Sequence, residues 1–511
     1  MRRLATVAAL LLGIVSVFGF APFGAWGVSI LALSGLFWLW QRASTPWQAA
    51  RLGYAYGIGL FGAGASWTYI ALHTFGGMAA ILAAIGAGGF CAWLALFPAL
   101  AGWIAVRLAA CGSPARLAIA AGAWAATEWL RSVGYSGFSW LAGGYTQVGG
   151  PLSGYAPIGG VFLAGLVVAG VAALLVHAGS ALERGRWISA AAAGLAIVAL
   201  TLAGIALATI EWSRPAGDPV TVSLVQGDID QEIKFDPEYR EKTLAIYAGL
   251  VDRAKGRLIV LPESALPMFA DEVPASYVSL LRADVERNGG DLLTGVFLFE
   301  PRRRDDEQDR YYNSVVSIGA SPTQIYRKHH LVPFGESIPA KPVLGWLIRN
   351  VLAIPLADQA AGPPGQQPMN VAGQRVAVNI CYEDTFGGEL IGQLPAATLL
   401  VNFTNDAWYG HSLAAEQHVQ MAAMRAIETA RPMLRATNTG ITAIIDRHGV
   451  ELARLPWFTR GVLEGSVAGR AGTTPYVRFG DSVALGAALV LIAVALVSSK
   501  IGHLRRPRPP C

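Results

Sequence analysis

What most limits how this chain can fold is the length of the stretches that no charge interrupts. Between Ile188 and Ile210 there is no charged side chain, and Ser189, Thr201 and Thr209 are the only hydroxyl-bearing ones. Such a run can hide its backbone N–H and C=O groups from lipid only as a helix, and about 20 residues span a hydrocarbon core of ~30 Å. Eight runs of this kind are read, at Leu4–Phe20, Trp26–Trp40, Leu52–Leu72, Met78–Val106, Leu117–Val133, Ile158–Val176, Ile188–Ile210 and Ser482–Ser499. The first two are short and meet at Ala21-Pro22-Phe23-Gly24, a turn between neighbouring helices.

Lys and Arg in the short loops orient these spans. With the N-terminus inside, one side receives Arg2, Arg3, Arg42, Arg51, Arg107, Arg116, Arg184 and Arg186, and then Lys500, Arg505, Arg506 and Arg508. The opposite short loops hold only Arg131. Both termini are therefore expected in the cytoplasm, and the region between the seventh and eighth spans outside, in the periplasm if the membrane is a bacterial inner one. Met1-Arg2-Arg3 before an apolar stretch also resembles a secretory signal. No Ala-x-Ala cleavage site lies where one is needed, so an uncleaved first helix is expected.

Charge distribution divides the chain in three. Of 34 acidic residues only Glu128 and Glu183 precede Glu211, and none follows Asp481. Residues 211–481 carry more acid than base, so the net charge of +5 comes from basic flanks beside apolar spans. This excludes a nucleic-acid-binding face. Charged residues make up only 14%, against about 25% in soluble domains, and the apolar content excludes disorder. The expected organisation is a seven-helix membrane region at 1–210, a catalytic domain at 211–481, and a last span with a basic tail at 482–511.

The middle region reads as α/β. Apolar, β-rich runs fall at Val220–Val225, Leu258–Leu261, Asp291–Leu298, Asn313–Ile318, Arg375–Cys381, Thr398–Phe403 and Met433–Ile445, with helical patterns at Glu238–Ala254, Ala275–Arg287 and Leu413–Ala430. Three reactive groups sit at the ends of such runs, where open α/β sheets place their sites. Glu263 follows Leu258-Ile259-Val260-Leu261. Lys328 lies in Tyr326-Arg327-Lys328-His329-His330. Cys381 closes Val376-Ala377-Val378-Asn379-Ile380. A strand-to-helix turn after Cys381 would expose its sulfur. A thiol of pKa about 8.5 needs a base or a cation to act as a thiolate. Glu263 is suited to take its proton, and Lys328 to stabilise thiolate and oxyanion, with the backbone N–H of Tyr382 as a second oxyanion donor. Taken one at a time, the three also read as a helix cap, a surface base and a core cysteine.

In order and setting, Glu263, Lys328 and Cys381 resemble the Glu-Lys-Cys triad of the nitrilase, or carbon–nitrogen hydrolase, superfamily. Longer strings narrow the resemblance: Val225-Gln226-Gly227-Asp228, Tyr326 through Glu336, Asn379-Ile380-Cys381-Tyr382-Glu383, Asn402 through Gly410, and Leu434 through Gly440. These are similar to the apolipoprotein N-acyltransferases. The resemblance implies an αββα sandwich joined to about eight transmembrane helices, with Cys381 as nucleophile, Glu263 as general base and Lys328 as oxyanion-stabilising cation. It also implies supporting roles for Glu336, Tyr382 and Glu383. The acyl donor would be a phospholipid, usually phosphatidylethanolamine, giving its sn-1 chain to Cys381 as a thioester. The acceptor would be the N-terminal amine of a diacylglyceryl-cysteine on an apolipoprotein. Phe235 departs from the family pattern, where Trp is expected.

A further expectation concerns Val343–Leu356, an unusually apolar run with Arg349 as its one charge. It reads either as a core helix or as a lipid-access arm that dips Trp346, Leu347 and Ile348 into the outer leaflet. No metal or cofactor is expected, because neither His329 and His330 nor His411 and His418 bring three or four ligands to metal spacing. Nothing in the sequence demands more than a monomer. Cys91 and Cys111 read as packing residues, and Glu128 with Arg131 as an intramembrane pair or a headgroup contact. The competing functions are a membrane-tethered amidase with the same triad, and a transporter with a periplasmic domain. The near absence of charge in the spans and the lack of a visible repeat argue against the transporter.

Overall fold

The computed structural model describes residues 2–133, 137–302, 309–337 and 358–503. The chain forms two compact units. One comprises the residues up to Tyr69, Ala80–Ile210 and the segment from Arg478; the other comprises Ile70–Ala79 and Glu211–Val477.

The first unit is helical. Among the described residues, four stretches are long and apolar enough to cross a membrane: Ala80–Leu108, Ser153–Glu183, Trp187–Ala208 and Ser482–Ser499. Arg3–Gly19 and Trp26–Gln41 are shorter apolar helices. Pro46–Gly64 and Pro114–Ser132 are helical but more polar, the first carrying Arg51 and the second Arg116, Glu128 and Arg131. Both begin with a hydroxyl cap and a first-turn proline: Thr45 accepts from the Gln48 N–H, and Ser113 from the Arg116 N–H. The run expected at 78–106 is interrupted at Ala95, dividing it into Ala80–Leu94 and Leu96–Leu108. Pro98 has no N–H to return to the Leu94 carbonyl, which accounts for the break. Ile81, Ile188 and Leu195 are 75%, 89% and 71% exposed. Apolar surface on this scale is stable against lipid, and the protein is a membrane protein.

Glu128 and Arg131 are buried and brace the loop that follows their helix. Arg131 Nη1 donates to the carbonyls of Phe138 and Trp140, both at 2.6 Å, and Glu128 Oε1 accepts from the Gly143 N–H at 2.8 Å.

Among the described residues the second unit contains two large β-sheets and a two-stranded antiparallel ribbon of Ser213–Pro215 with Arg470–Gly472. In the first, the spatial order is Gly461–Val467, Val220–Gln226, Leu258–Val260, Asp291–Glu300, Arg310–Gly319 and Ile325–Arg327, with Leu266–Phe269 also paired to Asp291–Glu300. Val220–Gln226, Leu258–Val260 and Asp291–Glu300 run parallel. In the second, the order is Glu451–Arg454, Ala443–Ile445, Met433–Thr437, Leu399–Thr404, Gln374–Ile380 and Met369–Val371. Gln374–Ile380, Leu399–Thr404 and Met433–Thr437 are parallel neighbours. Leu399–Thr404 and Met433–Thr437 are buried along their whole length, as parallel strands covered on both faces must be.

Helices Arg240–Arg253 and Ala275–Arg287 cover the first sheet, with Tyr247, Leu250, Val251, Leu281 and Val285 in one core with Val225, Ile259, Leu261 and Leu292. Helix Ala414–Thr429 covers the second. The sheets meet through Thr437, whose Oγ1 lies 3.3 Å from Gln226 Oε1, and through Asn438, whose side chain bonds both the N–H and the C=O of Ile229. This is the αββα sandwich expected from the sequence.

Candidate active site

The site forms where the C-terminal ends of strands from both sheets converge. Glu263 follows Leu258–Val260, in a turn that crosses directly over the neighbouring strand. Gly295 on that strand makes the crossing possible: a Cβ there would lie 2.4 Å from the Ser264 nitrogen and 2.6 Å from the Pro262 carbonyl oxygen. Lys328 follows the edge strand Ile325–Arg327 and extends its ladder, its N–H donating to the Asn313 carbonyl at 2.8 Å. Asn313 also reaches Glu263 directly, donating from Nδ2 to Oε1 at 2.7 Å.

Lys328 is almost fully buried and bridges two carboxylates. Its Nζ lies 2.7 Å from Glu336 Oε1 and 3.5 Å from Glu263 Oε1. Burial opposes the charge, but Glu336 and Glu263 outweigh it and hold the ammonium well above the ordinary lysine range. The second oxygen of Glu336 accepts from the Val332 N–H at 2.8 Å, fixing the carboxylate within its own turn.

Cys381 comes from the other sheet. It ends Gln374–Ile380 with φ at +52°, a conformation that costs a non-glycine residue about 1–2 kcal/mol. The thiol is buried, and its pKa is raised, first by burial and then by the Glu263 carboxylate, with Lys328 acting in the opposite direction. Left alone it is a neutral thiol. Becoming a nucleophile requires a proton acceptor and a cation, and Glu263 and Lys328, two of the charged groups that act on it, are of those kinds; Asp406 acts on it as well and raises its pKa further.

Glu383 ties the two halves together. Oε1 accepts from the His329 and His330 N–H groups at 2.6 and 3.1 Å, and Oε2 from the Ile380 N–H at 2.7 Å and the Tyr326 hydroxyl at 3.0 Å. One side chain thus joins the turn after Lys328 to the turn at Cys381. Replacing Glu383 by Gln turns an amide N–H₂ toward one pair of donors. It should lower stability by roughly 2–3 kcal/mol in urea unfolding and slow the reaction of Cys381 more than tenfold. Tyr382 is buried, with its ring against Phe386 and His330 at centroid distances of 5.0 and 5.9 Å.

Several groups at the site were not read from the sequence. Lys234 is fully buried, and its Nζ donates to the Glu263 carbonyl at 3.1 Å. Burial lowers its pKa to about 8. Asn313 and Arg435 are the others whose signal was present but unused: each is a buried polar side chain in the middle of a β-rich run. His418, weighed earlier as a metal ligand, instead contacts Asp384 and Asp406. Phe235 is half exposed and lies against Phe297, with centroids 6.2 Å apart. Trp346, Leu347 and Ile348 lie outside the described residues. A cavity of about 250 Å³, lined by Tyr326, His329, Asn379 and Glu389, borders Glu383 but none of Glu263, Lys328 and Cys381.

Two facing sheets covered by helices, with reactive groups at their converging strand ends, define an enzyme of the carbon–nitrogen hydrolase class, and a family model of that description matches residues 221–476. A second, described as the apolipoprotein N-acyltransferase N-terminal domain, matches residues 12–174. An apolipoprotein N-acyltransferase from Nitrosomonas europaea is 46% identical over 96% of this chain and 97% of its own. Those from Ralstonia nicotianae and Methylococcus capsulatus are 43% and 42% identical, over 97% and 96% of this chain and 93% and 95% of theirs. The chain belongs to the apolipoprotein N-acyltransferase family, as its sequence motifs had implied.

Proposed function

We propose that the protein moves the sn-1 acyl chain of a phospholipid, phosphatidylethanolamine above all, onto the N-terminal amine of a diacylglyceryl-cysteine at the head of an apolipoprotein. The observation that carries this reading is the pairing of Glu263 with the buried Lys328 beside a cysteine at a strained strand end, in a chain that also builds apolar membrane helices. Glu263 takes the Cys381 proton, and the thiolate attacks the ester carbonyl. Lys328 stabilises the resulting oxyanion with help from the Tyr382 N–H. The C–O bond then breaks, the lysophospholipid alkoxide recovers the proton from Glu263, and the acyl chain remains as a thioester. In the second half, Glu263 accepts a proton from the attacking amine, the C–S bond breaks, and Cys381 is reprotonated as the amide leaves. Glu336 orients Lys328, and Glu383 aligns the two turns.

A membrane setting suits both substrates. Drawing a palmitoyl-sized chain into water at about 0.8 kcal/mol per CH₂ would cost on the order of 12 kcal/mol. In this reading eight spans hold the chain in the inner membrane, with 1–210 and 482–511 as the membrane parts, 211–481 in the periplasm and both termini cytoplasmic. The apolar run 343–356, with Trp346, Leu347 and Ile348, serves as the acyl-access arm, and the enzyme works as a monomer. The family likeness runs through the membrane region as well as the hydrolase domain, which favours acyl transfer over a tethered amidase or a transporter. With one thioester site for two bulky lipids, kinetics should be ping-pong: lysophospholipid appears before acceptor is added, and double-reciprocal plots are parallel. Intersecting plots, or hydrolysis of small amides at comparable rates, would count against the reading.

A further inference from the structure

Behind the nucleophile lies a closed group of buried charges that the chemistry above does not use. His418, on the helix Ala414–Thr429, is fully buried between two carboxylates: Nδ1 is 2.8 Å from Asp406 Oδ1, and Nε2 is 2.9 Å from Asp384 Oδ1. Arg435, on the strand Met433–Thr437, reaches the other oxygens of the same pair, with Nη2 2.7 Å from Asp406 Oδ2 and Nη1 3.3 Å from Asp384 Oδ2. These charges come from three elements packed around His418: the Cys381–Thr385 turn, the Asp406–Tyr409 turn and the strand Met433–Thr437.

The group touches the nucleophile through the backbone. The Cys381 carbonyl oxygen lies 3.3 Å from His418 Nε2 and accepts from Asn402 Nδ2 at 3.1 Å, while Asn402 Oδ1 accepts from Arg435 at 2.6 Å. Both ring nitrogens of His418 face carboxylate oxygens. A neutral imidazole would point a lone pair at one of them, so the arrangement selects the ring with two N–H groups. Two carboxylates then face two cations, and the four charges cancel. Without the ring proton, the same buried group would carry one net negative charge directly behind the sulfur.

We propose that His418 is held as an imidazolium and acts as a positioning residue for Cys381, clamping the carbonyl of the strained elbow and keeping the charge behind it balanced so that the thiolate can form. Burial and Arg435 work against the ring proton, yet Asp384 and Asp406 raise its pKa to about 8. Arg435 and His418 in turn overcome burial and hold Asp406 down to about 2. A folded value above the usual ~6.5 means that the imidazolium contribution is fully present below that pH and fades as pH rises through about 8.

The test rests on Cys381 being the nucleophile, so it reads the thiol itself. Alkylation of Cys381 by iodoacetamide, followed across pH by site-resolved mass spectrometry on the full-length protein in detergent, reports thiolate formation whatever the acyl substrate. A parent protein whose Cys381 never reacts would overturn the nucleophile reading and this inference together. In His418→Gln the alkylation profile should move at least half a pH unit upward, about threefold less thiolate at a fixed pH. In Asp406→Asn, which leaves a net positive group, it should move downward. The double variant restores balance and should return the profile close to the parent's. A purely structural role would weaken both single variants without opposite shifts, and that result would overturn the proposal. If His418→Gln fails to fold, the ¹⁵N chemical shifts of the His418 ring in the parent decide: two protonated ring nitrogens at pH 7 support the proposal, and a neutral tautomer overturns it, whereas the Asp406→Asn shift alone does not, since Asp406 also acts on Cys381 directly.

Discussion

Incubated with phospholipid vesicles, the Cys381→Ala variant should carry no hydroxylamine-labile acyl group, and its transfer to acceptor should fall by at least about 10⁴-fold, the scale seen when a covalent nucleophile is removed. The parent should show one such adduct, on Cys381. The physical case is the geometry of the elbow. A cysteine at a strand end with φ of +52° is costly to maintain, and here its carbonyl is held by Asn402 and His418. Alanine at Cys91, buried in a membrane helix, should leave the adduct in place. Mass spectrometry of the intact protein and its peptides checks both statements. Acyl label retained in Cys381→Ala would rule out the thioester route.

The second large effect is expected at Lys328. In Lys328→Met, Glu263 and Glu336 lose the cation that separates them, and neither gains solvent to replace it. Removing one partner of a buried ion pair costs about 3–5 kcal/mol, and losing one oxyanion donor typically costs about 10²–10³ in rate. Urea unfolding should therefore show a clear loss of stability, and acylation should fall at least a hundredfold. Lys328→Arg keeps the charge but replaces a compact ammonium by a planar fork, so it should recover stability more fully than rate. A Lys328→Met variant as stable as the parent at neutral pH would mean that the bridge to Glu263 and Glu336 does not form in solution.

How far the sequence could be read depended on whether a feature is local. Apolar runs such as Ile188–Ile210 are local, and they became helices. Pro98 shows the limit, since the run around it met the length requirement yet is two helices with a break at Ala95. The strand ends at Glu263, Lys328 and Cys381 were legible for the same local reason, a polar residue closing a buried β-rich run, but only their order and setting together set them apart from a helix cap, a surface base and a core cysteine.

The groups around them were less visible. Lys234 lies in the polar string Asp230-Gln231-Glu232-Ile233-Lys234, where a lysine reads as a solvated surface base, yet it is fully buried on the Glu263 carbonyl. His418, Asp384, Asp406 and Arg435 are scattered along the chain and form one cluster only because parallel pairing sets Gln374–Ile380, Leu399–Thr404 and Met433–Thr437 side by side.

By itself, then, the sequence determined that part of this protein must lie in lipid, that the remainder is an α/β domain of the nitrilase type, and which three residues stand at strand ends ready for chemistry. Only the tertiary structure decided that Glu263 and Lys328 belong to one sheet and Cys381 to the other, that Glu383 joins the two turns, and that four charges meet behind the sulfur. The reason is physical. Hydrophobic periodicity reports what a segment does with its own neighbours, whereas the partner of a buried charge is chosen by which strands pair across long stretches of chain, and no local pattern carries that choice.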